Sequence, residues 1–208
     1  MTTQEKNGIT EGVIWKQLLI FFFPILVGSF FQQLYNTVDS VIVGQFVGKE
    51  ALSSVGGSAG QIISLVVGFF TGVSTGATVI ISQYFGAGKK EEIEESLHTA
   101  YAFALVGGLV LGIAGIVFAP QMLLWMNTPE ELIAESVLYV RVYFSGLIFI
   151  FIYNMGAAIL RAVGDSKRPL YYLIVCSVVN IILDLLLILV IPLGVLGAAI
   201  ATLIAQAV

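Results

Sequence analysis

Apolar residues along this chain run in long blocks, and the polar residues collect between the blocks. Uncharged, predominantly apolar windows of about the 20 residues needed to cross a bilayer recur, which predicts helices near 17–43, 57–84, 96–119, 132–160 and 169–191. A sixth helix, 195–208, is too short to finish a crossing at about 1.5 Å rise per residue. Nothing in the pattern suggests strands. The expected fold is an all-α integral membrane protein, a six-helix transmembrane bundle whose sixth helix is truncated, and so the N-terminal portion of a longer protein.

Composition agrees with that pattern. The chain is 58% hydrophobic and 11% charged with a mean hydropathy of +1.00, far from a soluble globular domain. Its 22 glycines suit helices packed at close range. The first apolar run is longer than the core of a signal peptide and lacks a small-residue cleavage site, so it is expected to span. The net charge of −4 is spread over the loops without a basic patch, so the expected partner is the lipid bilayer and not nucleic acid. The single Cys176 fits a small buried apolar role and has no internal disulfide partner.

Charge placement sets a topology. Lys6 and Lys16 precede the first span, Lys89 and Lys90 follow the second, and Arg161, Lys167 and Arg168 follow the fourth, whereas only Lys49 and Arg141 fall on the other side. This positive-inside bias predicts a cytoplasmic N-terminus and outward-running odd-numbered spans. Between the spans, Gly86-Ala87-Gly88 ends one helix and Glu91 and Glu92 open the next. Thr128-Pro129-Glu130-Glu131 has a capping-box pattern with Thr128 as N-cap. His98 reads as an interfacial residue. Gly68, Gly72 and Gly76 recur every fourth residue and predict a face that a neighbouring helix approaches closely. Pro24 lies inside the first span, where it removes a backbone hydrogen bond and favours a bend or hinge.

Against this apolar background stand two aspartates, Asp39 and Asp184. A charged side chain at the centre of a membrane helix costs roughly 2.5–3.5 kcal/mol on insertion scales and by default marks an ion or substrate pathway. Gln32, Asn36 and Asp39 are spaced by four and three residues on one helix face, with Tyr35 one turn before Asp39. Asn180 and Asp184 are stacked four apart on the fifth helix. Such polar stripes must face protein or water. The predicted topology puts both aspartates in the outer half of the bilayer, with Tyr139 and Thr202 at similar depth and Asn154 deeper. Two carboxylates close together in low dielectric cannot both stay charged cheaply, and a bound proton or cation relieves both. Their oxygens, with those of amides and hydroxyls, are hard ligands suited to H⁺ or Na⁺ and poorly suited to transition metals. No nucleophile, base and orienting residue fall into a catalytic pattern, and no phosphate loop or His/Cys cluster appears, so neither an enzyme nor a cofactor is expected.

Several segments carry a resemblance. They are Pro24 followed by Asp39-Ser-Val-Ile-Val-Gly44, Gly72-Val-Ser-Thr-Gly76 with Ser82-Gln83-Tyr-Phe-Gly86, and Arg161-Ala-Val-Gly164-Asp165-Ser-Lys167-Arg-Pro169. Asn180-Ile-Ile-Leu-Asp184 and Gly194-Val-Leu-Gly197-Ala-Ala-Ile-Ala-Thr202 complete the set. In this order on these helices, the chain resembles the N-terminal half of a multidrug and toxic compound extrusion (MATE) transporter. The resemblance implies one six-helix lobe of a twelve-helix, two-lobe exporter, with the C-terminal lobe absent from this chain. It implies antiport of amphipathic, mostly cationic compounds against H⁺ or Na⁺ across a bacterial or archaeal cytoplasmic membrane. It further implies a coupling site at Asp39, Asn180, Asp184 and Thr202, where Na⁺ could bind. Tyr139 and Asn154 would support that site, and Pro24 would be a hinge. Two rivals are a lipid-linked sugar flippase, which would be expected to show Arg or Lys within its spans, and a non-transporting membrane scaffold.

Overall fold

The computed structural model describes residues 13–208, so Lys6 lies outside the described residues. Helix α1 (Ile14–Ile42) continues through the buried Pro24 and widens into a π-helical turn at Val43–Val47. Helix α2 (Lys49–Ser54) leads through a second wide turn, Val55–Ala59, into α3 (Gly60–Gly86). The break in that turn falls at Gly57, whose φ of −77° and ψ of −127° leave the helical region. Then come α4 (Lys90–Trp125), α5 (Glu130–Ser145), α6 (Leu147–Ala162), α7 (Lys167–Asp184) with a π-helical extension at Leu185–Val190, and α8 (Val195–Ala207).

By length and apolarity, four stretches of the described residues suffice to cross a membrane: 14–47, 49–86, 90–125 and 167–190. The pair α5 and α6, bent by 51° at Gly146, makes a fifth, and α8 is a shorter apolar helix. Nothing in the apolar pattern of 132–160 announces that bend. At the bend α8 packs closely, since a Cβ on Gly146 would lie 2.6 Å from Leu203 Cγ, and the Ser145 hydroxyl donates back to the Val142 carbonyl at 2.6 Å.

The lobe is an all-helical membrane bundle in which α1 packs on α7, α4 on α5 and α6, α3 on α6, and α8 against both α5 and α7. Large apolar side chains such as Trp15, Leu65, Val106 and Trp125 face outward. Lipid makes that exposure cheap, so cohesion comes from close packing and internal polar contacts. Phe70 stacks on Phe151 at 3.6 Å between ring centroids in the core.

Two sequence expectations are corrected here. A Cβ at Gly68, Gly72 or Gly76 would meet nothing within 4 Å, so no helix of this lobe packs closely on that stripe. The close approach occurs on α4, where a Cβ on Gly108 would lie 2.8 Å from Ile148 Cα, one on Gly112 2.9 Å from the Phe144 carbonyl, and one on Gly115 would collide with the Phe144 ring. Nor does Thr128 cap α5. Pro129, with φ −54° and ψ 140°, takes the N-cap position without a side-chain cap, and the Thr128 hydroxyl is buried without a partner. At the start of α7, Asp165 Oδ1 accepts from the backbone N–H groups of Lys167 and Arg168, both at 3.1 Å, and its carboxylate pairs with the Arg168 guanidinium at 3.0 Å. That capping accounts for the Gly164-Asp165-Ser-Lys-Arg segment as local structure.

Candidate functional site

The helical spacing of α1 turns Gln32, Tyr35, Asn36 and Asp39 toward a cavity of about 850 Å³, where α3, α5 and α8 contribute Thr71, Tyr139 and Thr202. Behind this wall α7 presents Asn180 and Asp184, both 0% exposed. The Asn180 amide donates to Thr202 Oγ1 at 3.5 Å, and the Thr202 hydroxyl donates to the Ala198 carbonyl at 3.0 Å. Tyr35 and Thr202 share the wall of this cavity. The structure thus brings together six of the predicted residues, Tyr35, Asp39, Tyr139, Asn180, Asp184 and Thr202, with Gln32 and Asn36 at the cavity wall.

The carboxyl groups of Asp39 and Asp184 lie close enough to interact electrostatically. Ionised carboxylates bring only acceptors to such a contact. Accordingly Asp39 Oδ1 and both Asp184 oxygens are buried without a donor, and so is Asn180 Oδ1. Four unsatisfied hard oxygens in one buried cluster are costly on their own. A proton shared by the carboxyls, or a small hard cation among these oxygens, supplies the missing partner. No group of three or more His, Cys, Asp or Glu that could hold a metal ion occurs among the described residues.

Asn154 is elsewhere. Its amide donates to the Ile150 carbonyl at 2.8 Å, and it lines two smaller cavities, of about 240 and 220 Å³, which Arg161 also borders. Pro24 borders the first of these. Among the polar residues at the large cavity that the sequence reading does not name are Tyr143, whose ring centroid is 6.2 Å from that of Tyr139, and Gln206, whose Oε1 is buried without a partner. Each stands four residues after a predicted member, Tyr139 or Thr202, so helical spacing alone could have found them. The same holds on α3, where Gln61, Ser64 and Thr71 share the cavity-facing stripe.

The MatE family model matches residues 24–186. The Bacillus subtilis protein named "Probable multidrug resistance protein YoeA" is 33% identical over 208 residues, covering 98% of this chain and 44% of its own length. A second Bacillus subtilis relative, "Probable multidrug resistance protein YpnP", is 34% identical over 202 residues, with 96% and 44% covered. Among solved structures, the "Outward-facing conformation of a multidrug resistance MATE family transporter of the MOP superfamily" matches with a TM-score of 0.91 at 27% identity, covering 99% of this chain and 45% of that one. The chain therefore spans less than half the length of these relatives.

Proposed function

The chain belongs to the MatE family, and from that premise we propose that it is the ion-coupling lobe of a two-lobe exporter of amphipathic, cationic compounds driven by H⁺ or Na⁺. The single observation that carries this reading is that Asp39 Oδ1 and both oxygens of the fully buried Asp184 are enclosed without a donor, with Asp39 on the wall of an 850 Å³ cavity. In the proposed cycle the coupling ion enters from outside and neutralises the pair, with Asn180 and Thr202 completing its oxygen shell and Tyr35 and Tyr139 holding the wall. The altered packing of α1, with Pro24 as its hinge, weakens the hold on the exported cation. The ion then leaves to the cytoplasm. Net transport requires that the ion bind the outward and inward states with different affinity. The described walls of the large cavity contain Asp39 and no Lys or Arg, which favours a cationic passenger over the phosphates of a lipid-linked sugar. The proposed setting is a prokaryotic cytoplasmic membrane with the N-terminus inside.

The test is gradient-driven efflux of a fluorescent amphipathic cation such as ethidium from vesicles carrying the two-lobe transporter. Asp39→Asn is expected to abolish the response to an imposed gradient, and undiminished efflux would remove the pair from coupling. Imposing a pH gradient and a Na⁺ gradient separately identifies the ion.

A further inference from the structure

Three smaller cavities lie on the inner side of the lobe, and one side chain borders them all. Arg161, in the last turn of α6 and half-buried, lines the cavities of about 240, 220 and 340 Å³, and it is the one charged residue among the described walls of each. Among the described residues no carboxylate pairs with it, the ion pairs there being Lys89–Glu92 and Arg168–Asp165. A basic residue at the cytoplasmic end of a helix is ordinary for topology and for the helix dipole. An arginine serving only those ends would turn to water or lipid headgroups. This one is turned into the lobe.

The walls between Arg161 and the aspartates are polar and rich in acceptors. Gln32 borders both the outer cavity and the 240 Å³ cavity, Thr71 borders both the outer cavity and the 220 Å³ cavity, and Asn154 borders both inner ones. The hydroxyls of Thr71, Thr75 and Thr78 donate to carbonyls one turn back, at 2.8, 2.9 and 2.9 Å. Asn154 commits one of its two amide hydrogens to Ile150. The threonines have only oxygen lone pairs left to offer, and Asn154 offers its carbonyl oxygen beside its second N–H. Ser74, 3% exposed, adds a buried hydroxyl with no partner. Such walls accommodate water and hard cations, and the guanidinium at their inner end opposes the passage of those cations.

We infer that Arg161 is the electrostatic gate of the coupling ion's inner exit: the ion leaves the aspartate pair past Gln32, Thr71 and Asn154, and the fixed positive charge holds it back until the lobe rearranges. The inference rests on the coupling reading above, and the two can fail separately. Arg161 does not touch the aspartates; it sets how fast their ion escapes when no substrate is being moved.

The experiment measures substrate-free H⁺ or Na⁺ flux through the two-lobe transporter in liposomes, under the gradient that drives efflux. Arg161→Gln is expected to raise this leak roughly tenfold, the effect of one unit charge acting across about 12 Å at an effective dielectric of about 20. Arg161→Lys, which keeps the charge, is expected to stay tight. Should Arg161→Gln not fold, Ser82→Glu supplies a carboxylate on the wall of the 340 Å³ cavity that Ser82 shares with Arg161, and it is expected to leak in the same way. The double variant Asp39→Asn with Arg161→Gln, or Asp39→Asn with Ser82→Glu, is expected to lose the leak. Unchanged flux in the charge-altering variants overturns the gate even if Asp39→Asn abolishes coupled efflux. Equal leak in Arg161→Lys, or leak that survives Asp39→Asn, also overturns it, because then either charge or the route from the pair is not at work.

Discussion

The large cavity beside the aspartates and the three smaller cavities beside Arg161 both carry hydroxyl and amide groups, and they differ in the sign of the charge set among them. At the first, which we take as the outer side, Asp39 Oδ1 and both Asp184 oxygens are buried without a donor; at the others, taken as the inner side, Arg161 stands without a carboxylate partner among the described residues. The comparison teaches a division of labour. Uncharged oxygens make a membrane interior hospitable to water and ions, and isolated charges decide where an ion rests and where it is turned back.

The largest expected effect comes from erasing the outer sign. Asp184→Asn keeps the shape of the pair and is expected to lower gradient-driven efflux by about 5- to 150-fold, the usual range of a coupling free energy; transport assays at matched expression check this. Reversing the inner sign is expected to do less. Asn154→Asp sets a carboxylate on cavity walls shared with Arg161 and should raise substrate-free ion leak severalfold, read by the liposome flux assay. Thr202→Val keeps the volume but removes the acceptor of the Asn180 amide, leaving a buried donor unsatisfied. A loss of about 1–3 kcal/mol in stability is expected, read as a lower melting temperature, with Thr202→Ser close to the original. The smallest effect belongs to Asn154→Ala. If the outer pair alone sets ion affinity, coupled efflux changes less than twofold, and a large loss would merge the two regions that the structure separates.

Much of this was legible in the chain. Apolar blocks bounded by Lys, Arg and Gly announce the spans because a bilayer imposes one length scale on them. Fixed helical spacing places Gln32, Asn36 and Asp39 together, as it does Asn180 and Asp184. The bend at Gly146 is hidden in the sequence, since Phe144-Ser-Gly-Leu-Ile148 does not interrupt the apolar run, and the close neighbour at that glycine is Leu203, some sixty residues later. Small-residue periodicity is equally blind to neighbours. Gly68, Gly72 and Gly76 repeat as regularly as Gly108, Gly112 and Gly115, yet within this lobe only the α4 stripe is closely covered. Arg161 was counted as a topology charge at a helix end; that its side chain borders three cavities is a fact of tertiary packing. Thr128 shows the same limit on a smaller scale, because the motif was present but Pro129 occupied the capping position first.

Both aspartates stand where their helices cease to be regular. The wide turn of Val43–Val47 follows Asp39 by one turn, and that of Leu185–Val190 begins at the residue after Asp184. A wide turn holds one residue more than the α-helical ladder needs. Were it to tighten, everything beyond would swivel by about 100° and move about 1.5 Å along the axis, while the hydrogen-bond ladder on the near side stayed whole. The helix ends beyond the two aspartates are therefore the parts that such a tightening would swing, like crank handles whose slack is stored beside a carboxylate.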